Sequence, residues 1–136
     1  MERISREQYF ISIALLTAKR STCLKKQVGA VLVKEGRIIA TGYNGVLPGD
    51  DHSSGMDEDG ITHTVHAEAN IIAFCAKNGI STDNSVLYTT LSPCEKCAEL
   101  IVQSGIGEIT YIEKYRDSSG LQILHNQGIL VNSYEE

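Results

Sequence analysis

The sequence predicts an α/β fold, a three-layer α/β/α sandwich built on a mixed sheet of about five strands. Three observations predict it: an opening stretch with apolar residues at helical spacing, a β-branched hairpin after it, and a second half in which short strand and helix patterns alternate. In the opening stretch Ser5, with Gln8 three residues on, reads as a capping box, and Phe10, Ile13, Ala14 and Thr17 recur at helical spacing, which predicts a helix over about 5–19. Val28 to Val33 is a β-branched run stopped by Lys34-Glu35-Gly36, and Arg37 to Tyr43 continues beyond it, so two antiparallel strands are expected. From Gly45 to Gly60 the composition turns to Gly, Asp and Ser with few apolar residues, a long loop of the kind that borders functional sites. His66 to Asn78 places Ala69, Ile72, Ala73 and Ala76 at helical spacing and stops at Gly79. Val86 to Leu91 reads as a buried strand, Glu95 to Ser104 as a helix closed by Gly105, and Glu108 to Ile112 as a strand. Ser118 to Gln127 then reads as a helix, Gly128 to Asn132 as the last strand, and Ser133 to Glu136 as a frayed tail.

A chain of 136 residues fits one domain, spanning 1–136. With 42% hydrophobic and 21% charged residues the composition excludes intrinsic disorder, and no apolar stretch reaches membrane-spanning length. Met1 to Gln8 mixes Arg3 and Arg6 with Glu2 and Glu7 and lacks the pattern of a secretory signal, so a cytoplasmic setting is expected. Twelve Lys and Arg stand against 17 Asp and Glu, a formal net charge of −5 that speaks against a nucleic-acid partner. Of the four cysteines, Cys23, Cys75, Cys94 and Cys97, the last two are spaced as a metal or redox pair rather than as part of a disulfide framework.

The chemistry concentrates at two predicted helix starts, His66-Ala67-Glu68 and Pro93-Cys94-Glu95-Lys96-Cys97. One helical turn sets both sulfurs on the same side, and the positive end of a helix favours their thiolates. Two thiolates and a neutral imidazole give zinc three protein ligands and leave a fourth position for water, as a catalytic site requires. Glu68, two residues beyond the histidine, is placed to act as the base. Cys94-x-x-Cys97 by itself is equally a redox pair or half of a structural zinc knuckle, whose fourth ligand Cys75 or His63 could supply. Cys75, inside an apolar helix, reads as core. Cys23, His52 and His63 are spaced too irregularly for a second zinc site, and His125 reads as a helix-end surface residue.

Taken together, His66-Ala67-Glu68 and Thr90-Leu91-Ser92-Pro93-Cys94-Glu95-Lys96-Cys97 resemble the cytidine and deoxycytidylate deaminase superfamily. Val28-Gly29-Ala30-Val31, Gly42-Tyr43-Asn44-Gly45 and Lys114-Tyr115-Arg116-Asp117 are similar to its deoxycytidylate deaminases in particular. The resemblance spans nearly the whole chain. It implies a cytidine deaminase-like fold and zinc-dependent deamination of dCMP to dUMP and ammonia, supplying dUMP for thymidylate synthesis. By it the zinc falls to His66, Cys94 and Cys97, while Glu68 carries a proton to N3 of the ring and then to the departing ammonia. Substrate contacts fall to Asn44 for the sugar hydroxyl, to Ala67 and Ser92, and to Arg20, His63, Tyr115 and Arg116 for the phosphate. The same resemblance implies a homohexamer activated by dCTP with magnesium and inhibited by dTTP, with Gly42, Tyr43 and Gly45 near the effector.

Deamination of dCTP or another free cytosine nucleotide remains open, because zinc fixes the ring chemistry while the phosphate pocket sets substrate choice. A tRNA adenosine deaminase shares both metal motifs, but the acidic balance and Gly42-Tyr43-Asn44-Gly45 speak against it. The non-enzyme alternative is a zinc-stabilised nucleotide sensor, which has no need of Glu68.

Overall fold

The structure is a computed structural model that describes residues 2–23, 25–47 and 64–135. Its elements run α1 (Arg6–Ala18), β1 (Gly29–Lys34), β2 (Arg37–Tyr43), α2 (Ala67–Lys77), β3 (Val86–Leu91), α3 (Glu95–Gln103), β4 (Glu108–Glu113), α4 (Ser119–Asn126) and β5 (Leu130–Ser133). The five strands form one mixed sheet in the order β2-β1-β3-β4-β5. β1 pairs antiparallel with β2 and β3, whereas β3, β4 and β5 are parallel to one another, which gives the three-layer α/β fold expected from the sequence.

Local chemistry explains the elements. Ser5 Oγ accepts the Gln8 backbone N–H at 3.0 Å and so satisfies an orphan donor at the start of α1. Glu35 (φ 52°) and Gly36 (φ 77°) make the two-residue turn between β1 and β2, with Lys34 facing Arg37. Buried on both faces, β1 needs no alternation of polar residues: Ala30 and Leu32 point to one side, Val31 and Val33 to the other. The larger cluster joins Leu32 and Leu87 of the sheet to Ile71 of α2, Ile101 of α3 and Leu124 of α4, all fully buried or nearly so. The smaller joins Phe10 and Ala14 of α1 to Val31 and Val33. Three helices thus cover one face and α1 the other. Each fully buried Leu or Ile in these clusters contributes about 1.5–3 kcal/mol, so the sheet is a firm platform for whatever its ends carry.

The tail differs from the expected fraying. Ser133 pairs with Tyr111 as the last residue of β5, and the Tyr134 backbone N–H donates to the Tyr111 carbonyl at 2.7 Å. The ladder satisfies backbone groups there that composition alone had assigned to solvent. Among the described residues no helix is long and apolar enough to cross a membrane.

Candidate active site

In an open α/β sheet, ligands gather beyond the carboxyl ends of the parallel strands. Leu91 ends β3 and Glu113 ends β4, and Ser92 ties the two ends together: its N–H donates to the Glu113 carbonyl at 2.9 Å and its hydroxyl accepts the Tyr115 N–H at 2.7 Å. The chain then passes from β3 through Pro93 directly into α3.

Cys94 is the N-cap residue of α3 and His66 the N-cap residue of α2, both with extended backbone. Neither side chain caps its own helix, so both are free to face the space between the two helix starts. Cys97, one turn into α3, joins them. His66 Nδ1 lies 3.3 Å from Cys97 Sγ and 3.4 Å from Cys94 Sγ, and the three ligand atoms fall within 4.8 Å of one another. Tetrahedral zinc, with Zn–N of about 2.0–2.1 Å and Zn–S of about 2.3 Å, sets an N and an S ligand roughly 3.6 Å apart. The two N···S distances therefore fit that ion within a few tenths of an ångström, and the soft donors of the triad suit zinc over magnesium, which takes oxygen.

The charges within the triad are mutually dependent. Hydrogen bonds from Cys97 and His66 hold the Cys94 thiol down at about 3, whereas the neighbouring Cys94 and burial push the Cys97 thiol far above its usual range. Binding a cation there would displace the thiol proton, because metals take thiolates. The Cys94 partner raises His66. Glu68, in the first turn of α2 and 4% exposed, has its carboxyl pushed up to about 7 by burial, which disfavours its anion.

His66, Glu68 and Cys94 line a cavity of about 620 Å³, a size that suits a nucleotide-sized ligand. Asn44, Ala67, Glu68 and Ser92 line it and are buried; Tyr115 and Arg116 line it nearer the surface. Asn44 is itself tightly held: its Oδ1 accepts from Val28 N–H (2.8 Å) and Ser21 Oγ (2.5 Å), and its Nδ2 donates to the Lys26 carbonyl (2.7 Å). Among the described residues that leaves one Nδ2 hydrogen for a ligand. Arg20 follows α1 as an exposed residue and is not among the residues lining the cavity. His63, like His52, lies outside the described residues, as does most of the expected loop 45–60.

Gly42 lies beneath α2 rather than on the cavity. A Cβ there would come within 2.7 Å of Ile71 Cγ1 and 2.9 Å of the Ala67 carbonyl, so the helix that carries His66 and Glu68 can sit on β2 only over a glycine. Tyr43 accepts a hydrogen bond from Asn70 Nδ2 at 2.7 Å, and Gly45 forms an antiparallel bridge with Val65, directly before His66. Cys75 is fully buried in the core, and Cys23 lines the cavity beside Thr64.

Sequence reasoning missed Ser21, Lys25, Lys26, Glu113 and Lys114. The last four line the cavity mouth, and Ser21 fastens Asn44. Two traces were visible: the adjacent pair Lys25-Lys26, which carries no motif, and Lys114 within the family-like segment Lys114-Tyr115-Arg116-Asp117, where no role fell to it.

The profile of the cytidine and deoxycytidylate deaminase zinc-binding region matches residues 4–113. The chain is 41% identical over 140 residues to ComE operon protein 2 of Bacillus subtilis, covering 99% of this chain and 74% of that one. To the deoxycytidylate deaminase of Saccharomyces cerevisiae it is 36% identical over 143 residues, 97% of this chain and 46% of that protein. The solved structure of dCMP deaminase from the cyanophage S-TIM5, in complex with dCMP and dUMP, superposes with a TM-score of 0.91 at 33% identity, covering 98% of this chain and 100% of the other.

Proposed function

Because the chain belongs to the cytidine and deoxycytidylate deaminase family, we propose that it hydrolyses the 4-amino group of dCMP with the help of zinc, giving dUMP and ammonia. The observation that carries the reading is the juxtaposition of a zinc-fitting His66, Cys94 and Cys97 triad with the buried Glu68 carboxyl, His66, Cys94 and Glu68 all lining one cavity. The cyanophage relative, seen with dCMP and dUMP, supports the choice of nucleotide.

Zinc, held by the three ligands, supplies a Lewis acid that brings the pKa of water to about 7. The chain's own groups do the rest. A carboxyl poised near neutrality takes a proton from water and gives it to ring N3 as water adds at C4. Reprotonated by the hydroxyl left on C4, the same carboxyl then protonates the amino nitrogen, and the C4–N bond breaks. Ala67, Val28 and Leu91 wall the cavity and limit bulk water around the ring. The remaining Asn44 hydrogen suits a sugar hydroxyl, and Ser92 acts indirectly by fixing Tyr115 at the mouth.

A homo-oligomer, hexameric by family resemblance, is the expected assembly, and the mass in solution by light scattering decides it. Activation by dCTP with magnesium and inhibition by dTTP rest on that resemblance alone, and titrating each triphosphate into the assay decides them.

The test is ultraviolet absorbance on mixing zinc-replete protein with dCMP. Conversion to dUMP is expected; no conversion sinks the reading.

A further inference from the structure

The cavity has a direction. Its deep end holds buried Glu68 and Asn44, while its mouth is built from exposed Lys25, Lys26, Lys114, Arg116 and Glu113. A cytosine nucleotide deaminated at the deep end must therefore leave its 5′-phosphate at the mouth. Four of the chain's twelve Lys and Arg meet there, although the whole chain carries a net charge of −5. The cations are gathered where a dianion has to sit.

Lys26 differs from the other three. Its main-chain carbonyl fixes Asn44 Nδ2 at 2.7 Å, so its position is tied to the residue facing the sugar. Its ammonium crosses the mouth to the end of β4, where it meets both oxygens of Glu113, at 2.8 and 3.1 Å. That pair is about half exposed, with side chains 52% and 56% accessible, and an ion pair in such a setting holds by about 1 kcal/mol at most. A phosphate dianion carries twice the charge of the carboxylate and makes strong charge-assisted hydrogen bonds, so it displaces Glu113 readily. The carboxylate so released stays at the mouth and repels any phosphates beyond the first.

We propose that Lys26 reads the 5′-phosphate of the substrate by exchanging its Glu113 partner for it, and that the freed Glu113 restricts the mouth to a monophosphate. The inference rests on cytosine-nucleotide deamination at this site and names the residues that set its substrate class.

The experiment compares kcat/KM for deoxycytidine, dCMP and dCTP in the zinc-replete full chain. In Lys26→Met the ratio of dCMP to deoxycytidine falls about ten- to hundredfold, mainly through KM, as expected for the loss of a charge-assisted contact; Lys26→Arg largely keeps it. In Glu113→Gln the ratio of dCTP to dCMP rises several-fold. Equal losses for deoxycytidine and dCMP in Lys26→Met, or an unchanged ratio, overturn the assignment of Lys26, and an unchanged dCTP ratio in Glu113→Gln overturns that of Glu113. A wild type that converts none of the three defeats the deaminase reading itself, an outcome distinct from a wild type active on dCMP whose ratios ignore both substitutions.

Discussion

A carboxyl held near neutrality gives and takes protons at physiological pH, and Glu68 owes that property to burial rather than to a charged neighbour. Glu68→Gln keeps the size of the side chain and all three metal ligands, so the variant is expected to retain zinc by metal analysis while turnover falls by about 10²- to 10⁴-fold. A zinc-free variant would contradict the proton-carrying role. Tyr88 offers a second test on the opposite face of the sheet. Its ring packs on Phe10 with centroids 5.2 Å apart, and burial, aided by Glu108 and Glu7, raises its phenol above the ordinary 10.0. A raised folded-state value means the neutral form is favoured on folding, so this stability is complete below pH 10 and is lost as pH climbs through the folded value. Thermal melts between pH 9 and 11 should fall more steeply for the wild type than for Tyr88→Phe, and parallel curves would refute the assignment. The zinc triad and Glu68 were legible in the sequence because a metal constrains residue type and spacing together. Lys26 and Glu113 were not, since they meet across 87 residues, and only the fold brings them together.

Most of the fold was legible at the scale of elements, where periodicity and stop signals are local: the nine segments expected from the sequence are the nine observed among the described residues, with ends differing by a residue or two. What spacing could not show is how closely they pack. Gly120, in the first turn of α4, lies against the backbone that delivers Cys94; a Cβ there would sit 2.8 Å from the Cys94 carbonyl and closer still to that of Pro93. Gly120→Ala must push that backbone aside, at roughly 1–3 kcal/mol for an overpacked contact. Differential scanning calorimetry should register a lower Tm, and metal analysis a lower zinc content. Gly107→Ala, where a Cβ meets nothing within 4 Å, is the control and should change neither. Equal behaviour of the two variants would sink the idea that α4 braces the ligand.

For the molecule as a whole, a metal held by His66, Cys94 and Cys97 would fasten two helix starts that lie 28 residues apart in the chain. A cation bound only by the folded state adds RT ln(1 + [L]/Kd) to stability, about 2.7 kcal/mol when the metal stands at a hundred times its Kd. Chelation should lower Tm by several degrees and zinc should restore it, whereas magnesium, which favours oxygen ligands, should not; a Tm indifferent to the chelator would mean that the triad holds no metal. The placement of α4 carries a different consequence. The last stretch of chain supplies none of the proposed zinc ligands, yet it props the turn from which Cys94 projects. Cutting the chain after Asp117 would leave every proposed reactive group on one piece and none on the other, so a loss of zinc by the larger piece would measure what that prop contributes and nothing else.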